Sequence, residues 1–292
     1  MTEIAVLSGK GGTGKTSLSA AFATMGEEVV VADCDVDAAN LYIILQPVNY
    51  LEERFVTGHK ALINTETCTN CGICLPYCCF DAISMQDGQV RISETACDGC
   101  MLCMRVCPIG AINMMPSDKS RWYACIFRNG RMVHARLEPG EENSGKLVSL
   151  VRKQAGEIAR ENGLETIIID GPPGIGCPVI SSVTGVKKVI IVTEPSRSAF
   201  HDMKRIFELT DNFKVKAYVV INKYDLNEDI TGRIARWCFD REIPVAGKIP
   251  FDPNIVEAML NCKSIVEWLP QSDVSKEIAK AWNIINSNEL IK

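Results

Sequence analysis

The stretch Ile4-Ala5-Val6-Leu7-Ser8-Gly9-Lys10-Gly11-Gly12-Thr13-Gly14-Lys15-Thr16 decides the fold. A short apolar run reads as a buried strand, and Thr16–Thr24 reads as the helix that follows. Between them, glycines let backbone N–H groups curl around an anion, and the helix N-terminus adds its positive end. Lys15 is placed for the β- and γ-phosphates of a nucleotide, and the Thr16 hydroxyl for Mg²⁺. Gly9, Lys10, Gly11, Gly12, Thr13, Gly14, Lys15, Thr16 and Ser17 are therefore candidate binding residues.

Working outward, further apolar runs read as buried parallel strands: Val29–Ala32, Thr166–Ile169, Val189–Thr193, Val215–Ile221 and Val245–Ile249. Helix-length stretches alternate with them, at Lys146–Asn162, Ala199–Phe213 and Asp229–Phe239. That alternation predicts an α/β fold, a mostly parallel sheet flanked by helices. It lapses between residues 57 and 117, which are cysteine-rich and loop-like. Residues 1–56 and 118–292 thus read as one discontinuous domain, and 57–117 as a small domain inserted in it. Asn129-Gly130, between Trp122–Phe127 and Met132–Leu137, is a hairpin signal.

The insert carries two runs of C-x2-C-x2-C-x3-C: Cys68, Cys71, Cys74, Cys78 and Cys97, Cys100, Cys103, Cys107. The second follows the first by 29 residues at every position, and Ala82-Ile83 recurs as Ala111-Ile112. Thiolates in this spacing hold [4Fe–4S] clusters, and in two-cluster ferredoxins the fourth cysteine of each run serves the other cluster. One set is then Cys68, Cys71, Cys74 and Cys107; the other is Cys97, Cys100, Cys103 and Cys78. Two zinc sites are the alternative, which the duplicated spacing disfavours. Cys79 stands where proline usually follows the fourth cysteine; it and Cys177 read first as buried small side chains.

Lys10-Gly-Gly-Thr-Gly-Lys15 resembles the deviant phosphate loop of the MinD/ParA-like ATPases, which include Mrp and the nitrogenase iron protein. The resemblance implies ATP/ADP and Mg²⁺ as ligands, and a nucleotide-dependent homodimer or a dimer with a paralogue. In that dimer Lys10 reaches the partner's phosphates. Asp33-Cys-Asp35-Val-Asp37 is similar to the first switch, with Asp35 orienting the attacking water; Asp33 and Asp37 suit turn or capping roles equally. Asp170-Gly-Pro-Pro-Gly174 is similar to the second, Asp170 meeting Mg²⁺ through water and the Gly174 amide sensing the γ-phosphate. Asn222, Pro250 and Asp252 fall in segments that resemble the family's adenine-binding loops. Cys177 has the same offset from Asp170 as a cluster cysteine of the iron protein. The insert looks like a bacterial dicluster ferredoxin, and the whole chain resembles MinD-superfamily ATPases carrying such an insert.

Fourteen cysteines in 292 residues, with no secretory signal, point to metal chemistry in a reducing cytoplasm rather than to disulfides. The net charge of -5, well mixed, gives no nucleic-acid surface, and no apolar run has the length of a membrane span. Val274–Asn286 reads as a core helix. The expected activity is ATP hydrolysis coupled to electron transfer toward a redox partner protein. The alternatives are an iron–sulfur scaffold or carrier, whose usual Cys-Pro-x-Cys motif is absent here, and a MinD-like positioning ATPase.

Overall fold

The computed structural model describes residues 1–25, 28–56, 58–141 and 144–287. In chain order β1 (Thr2–Ser8), α1 (Lys15–Met25), β2 (Val29–Asp33), α2 (Leu41–Leu45) and β3 (Val48–Phe55) open the fold. Next come β4 (Gly58–Ile63), β5 (Ile83–Gln86), β6 (Gln89–Ile92), α3 (Leu102–Val106), β7 (Ile112–Ser117), β8 (Ser120–Phe127) and β9 (Gly130–Arg136). The rest alternates: α4 (Ser144–Glu161), β10 (Thr166–Pro173), α5 (Cys177–Val183), β11 (Lys188–Thr193), α6 (Arg197–Asn212), β12 (Lys216–Asn222), α7 (Glu228–Phe239) and β13 (Val245–Ile249). Helices α8 (Asn254–Leu260), α9 (Ile265–Trp268) and α10 (Asp273–Asn286) follow. The chain forms two compact units, one of Met1–Glu52, Tyr123–Ala135 and Ser144–Lys292, the other of Glu53–Trp122 and Arg136–Asn143.

The large unit is built on a sheet of order β13-β12-β11-β1-β10-β2-β9-β8-β3, parallel from β13 through β9. Strand β1 is central. Its Ile4, Ala5, Val6 and Leu7 are fully buried, as a strand covered on both faces must be. Helix α10 packs its Val274, Ile278, Ala281, Trp282 and Ile285 inward, and Trp282 stacks on Phe22 of α1 at 4.8 Å. Burying such side chains stabilises the fold by about 1.5–3 kcal/mol each. The Asn129-Gly130 signal marks the β8–β9 turn, and Arg128 in it donates to the Leu45 and Ile44 carbonyls and to Glu267. Because β1 lies between β10 and β11 while β2 lies beyond β10, the carboxyl ends around β1 form a switch point, where open α/β sheets bind ligands. No helix among the described residues is long and apolar enough to cross a membrane.

In the small unit, the loop-like reading of residues 57–117 is corrected: among the described residues four short strands and two helical turns, Leu75–Tyr77 and Leu102–Val106, run through them. Strands of four to six residues are too brief to establish a period in sequence. Their pairing repeats with the 29-residue period. Ile63 pairs with Ile112 across β4–β7, and Ile92 with Ile83 across β6–β5. The Asn64 amide donates to Ala111 and the Ser93 amide to Ala82, both at 2.8 Å. The Cys68 amide donates to Asn64 and the Cys97 amide to Ser93, both at 3.0 Å. Cys79 is corrected too: it is exposed, because Cys78 turns inward and its neighbour in the turn faces water.

Candidate functional site

A cleft of about 630 Å³ opens at the carboxyl ends of the central strands. Gly11–Leu18 line one side, and Asp35, Asp37, Pro172, Pro173, Asn222, Lys223, Pro250 and Asp252 line the rest. Its lining includes the apolar Ile255, Val256, Met259 and Ile278, and the Ser17 hydroxyl contacts the Met259 sulfur at 3.3 Å. Gly9, Lys10 and Gly174 lie outside this lining.

Asp170, fully buried at the end of β10, organises the phosphate loop. It accepts from Lys15 Nζ at 2.9 Å, Ser19 Oγ at 2.7 Å and Thr16 Oγ1 at 2.9 Å. Burial alone would lower the Lys15 pKa, but the charge and hydrogen bond of Asp170, with Asp35 and Asp33 behind it, hold it above the usual lysine value. Asp35 Oδ2 is 3.8 Å from Lys15 Nζ, and burial raises its pKa against the pull of that lysine. Asp33 is wholly buried, and desolvation plus the nearby Asp170 push it up to about 8. It accepts the amides of Asp35 and Leu41, so it braces the loop between β2 and α2.

The loop is closed from the far side by Asn222. Its Nδ2 donates to the Thr13 carbonyl at 2.8 Å and its Oδ1 accepts from the Lys223 amide. A Cβ on Gly14 (φ +91°) would lie 2.3 Å from that Nδ2, so glycine is required there. Asn222 thus lines the cleft with its amide already engaged by the phosphate loop. Asp252 caps the start of α8 through the Asn254 amide. The Gly174 amide donates to the Ser8 carbonyl at 3.0 Å.

Lys10 pairs with Glu194 at 2.7 Å and donates to Ser196 Oγ. Glu194 also holds Lys223 at 3.3 Å, and Lys223 donates to the Gly12 carbonyl. Burial would raise the Glu194 pKa, but the two lysines outweigh it and hold it below the carboxylate range. Glu194 and Ser19 were missed by sequence reasoning; a carboxylate straight after an apolar strand was the available signal for Glu194. Cys177 is corrected: it opens α5 exposed rather than buried.

The small unit holds two small cavities. Cys68, Cys71, Cys74 and Cys107 line one, with Ile63, Val90 and Ile112 around them. Cys78, Cys97, Cys100 and Cys103 line the other, with Ala61, Tyr77 and Phe80. Backbone amides point at the sulfurs: Ala82 donates to Cys78 and Ala111 to Cys107, both at 3.3 Å, and Ala61 donates to Cys97 at 3.4 Å. Burial raises the Cys74 and Cys103 pKa values, while amides around Cys107 outweigh its burial and lower its own. Among the described residues no three His, Cys, Asp or Glu side chains gather as ligands of a metal ion would. The cysteines ring their cavities instead of converging on a point.

A phosphate loop at the switch point of a parallel sheet defines a nucleotide-binding protein of the P-loop class. A family model described as the CobQ/CobB/MinD/ParA nucleotide binding domain matches residues 4–265, and the chain belongs to that family. It is 34% identical over 262 residues to an uncharacterized protein of Methanocaldococcus jannaschii, covering 89% of this chain and 88% of that one. Among solved structures it resembles the septum site-determining protein MinD complexed with Mg-ADP from Pyrococcus horikoshii. The TM-score is 0.59 at 19% identity, over 98% of this chain and 96% of that one. It also resembles MinD in the MinC:MinD complex of Aquifex aeolicus, with TM-score 0.57, 17% identity and coverage of 100% and 98%. These likenesses carry the fold: a MinD/ParA-like α/β nucleotide-binding domain.

Proposed function

We propose that the chain is a Mg²⁺-dependent ATPase whose nucleotide cycle gates electron transfer through two [4Fe–4S] clusters to a partner protein in a reducing cytoplasm. ATP's phosphates take the place Asp170 now holds on Lys15 and Thr16. Thr16 would hold Mg²⁺ and Asp170 would meet it through water, the metal supplying charge against the phosphates. Asp35 orients the attacking water. Lys10 leaves Glu194 and reaches the phosphates of a second copy or a paralogue, so closure of the dimer is the nucleotide-dependent step. Release of Gly174 from Ser8 frees an amide for the γ-phosphate, and the segments around Asp35 and Asp170 are the bistable elements.

The observation that supports the redox part is the division of eight cysteines between two cavities, each ringed by three cysteines of one run and the fourth of the other. That grouping supports the crosswise ligation read from the spacing, as in two-cluster ferredoxins. The residues fit such a group: four thiols face each void, and amides of Ala61, Ala82 and Ala111 aim at the sulfurs. When bound, the clusters carry single electrons. The likeness to MinD supports only the ATPase part, and it favours a second reading, a MinD-like positioning ATPase in which the small unit is a docking module.

The test is the ATPase rate of anaerobically purified protein, oxidised and reduced, after counting iron. About eight irons per chain with a redox-dependent rate supports coupling, which linkage makes reciprocal in nucleotide affinity. Equal rates favour the positioning reading, and clusters that pass readily to an apo-acceptor favour a carrier.

A further inference from the structure

The 29-residue repeat makes every contact of one cavity comparable with its counterpart in the other, and at one place the two differ. On the second run, Ala61 of β4 donates its amide straight to Cys97 Sγ at 3.4 Å. Next to it, Lys60 Nζ is fixed 2.6 Å from the carbonyl oxygens of both Cys97 and Gly140. The counterparts on the first run are Val90, Gln89 and Cys68. There the Val90 amide is intercepted: it donates to Asn70 Oδ1 at 3.0 Å, and that side chain stands 3.8 Å from Cys68 Sγ. The residue matching Asn70 is Gly99, where a Cβ would lie 2.1 Å from the His59 carbonyl oxygen. A side chain is thus excluded at 99 and present at 70.

We infer that Lys60 and Asn70 make the two clusters inequivalent, the one held by Cys78, Cys97, Cys100 and Cys103 being the easier to reduce. The inference rests on the cluster reading above. Reduction adds one electron and so one negative charge. A sulfur that accepts an N–H, beside a fixed ammonium, stabilises that added charge, whereas a sulfur deprived of its amide does not. Asp98 also borders the second cavity and opposes the effect, but it is exposed and screened by water, while Lys60 is half-buried and held by two carbonyls. Cys107 on the first cavity receives the Ala111 amide as Cys78 on the second receives the Ala82 amide; the amides of Ile109, Gly110 and Ile112 also gather at Cys107 and oppose the effect, so the direction is carried by the Lys60 charge. The first electron rests on the second-run cluster, which gives the pair a direction.

The experiment is a redox titration of the intact, anaerobic protein followed by electron paramagnetic resonance, with iron counted for each sample. Wild type is expected to reduce in two separate steps. Lys60→Met lowers the upper step and leaves the lower in place. Asn70→Gly raises the lower step alone; glycine suits this position, since Asn70 has φ 57° and its counterpart Gly99 has φ 74°. Either variant narrows the gap. A single wild-type step with full iron, or both variants moving the same step, overturns the inference. Protein without about eight irons overturns the cluster reading itself.

Discussion

The nucleotide cleft and the small cysteine unit place their polar groups in opposite ways. At the cleft the lysines of the phosphate loop and its surroundings have partners already: Lys15 with Asp170, Lys10 and Lys223 with Glu194. A buried charge that is paired and hydrogen-bonded is tolerable without ligand. In the small unit cysteines stand in the core itself: among the described residues Cys74, Cys97 and Cys103 are buried with Ala61, Ala82, Val90 and Ile112 in one apolar cluster, and all three line cavities. The cleft's lysines are held by the chain's own carboxylates, whereas the cysteine unit is expected to depend on what fills it.

The sharpest way to break this contrast is to disable one region and read the other. Lys15→Ala is expected to cut ATP turnover by roughly 10²-fold or more, since it removes a charge aimed at the transferred phosphoryl group. Iron per chain should not change. Cys74→Ser should lose about half the iron and keep nucleotide affinity within a few-fold. If Lys15→Ala strips the iron as well, the two regions fold as one.

Removing iron from wild type with a chelator under oxidising conditions should raise amide exchange across β4–β7 and leave β1, β10 and α1 protected. Uniform exchange in both regions would mean that the cysteine unit holds its own fold without a cluster.

The smallest effect concerns pH. Folding raises the Asp33 pKa to about 8, so the native state keeps a proton that the unfolded chain releases from about pH 4 upward. That contribution is full at low pH, declines as pH rises, and is flat above about 8. Asp33→Asn should flatten the fall in stability between about pH 4 and 8, measured by urea unfolding across that range. An unchanged slope would assign the pH dependence to other groups.

The parallel sheet was legible because its strands are continuous β-branched runs, such as Val29–Ala32 and Val189–Thr193, buried on both faces. The phosphate loop was legible because glycine, lysine and threonine must fall at fixed offsets for an anion to be cradled. Sequence did not give the partners: nothing near Ser19 or Glu194 announces the residue each meets, since Ser19 lies 151 positions from Asp170 and Lys10 some 184 from Glu194. Asn222 was read for a base; the structure adds that one N–H of its amide is donated to the Thr13 carbonyl, a partner 209 positions away. Cys79 and Cys177 were read by residue type, which favours burial, but their exposure follows from the turn and helix start they occupy. The cysteine spacing gave the two runs; the cavities add which four residues surround each void.

Glu194 grips two ammonium groups at once. In the proposed cycle Lys10 would leave while the carboxylate kept Lys223, an exchange of neighbours rather than a rupture.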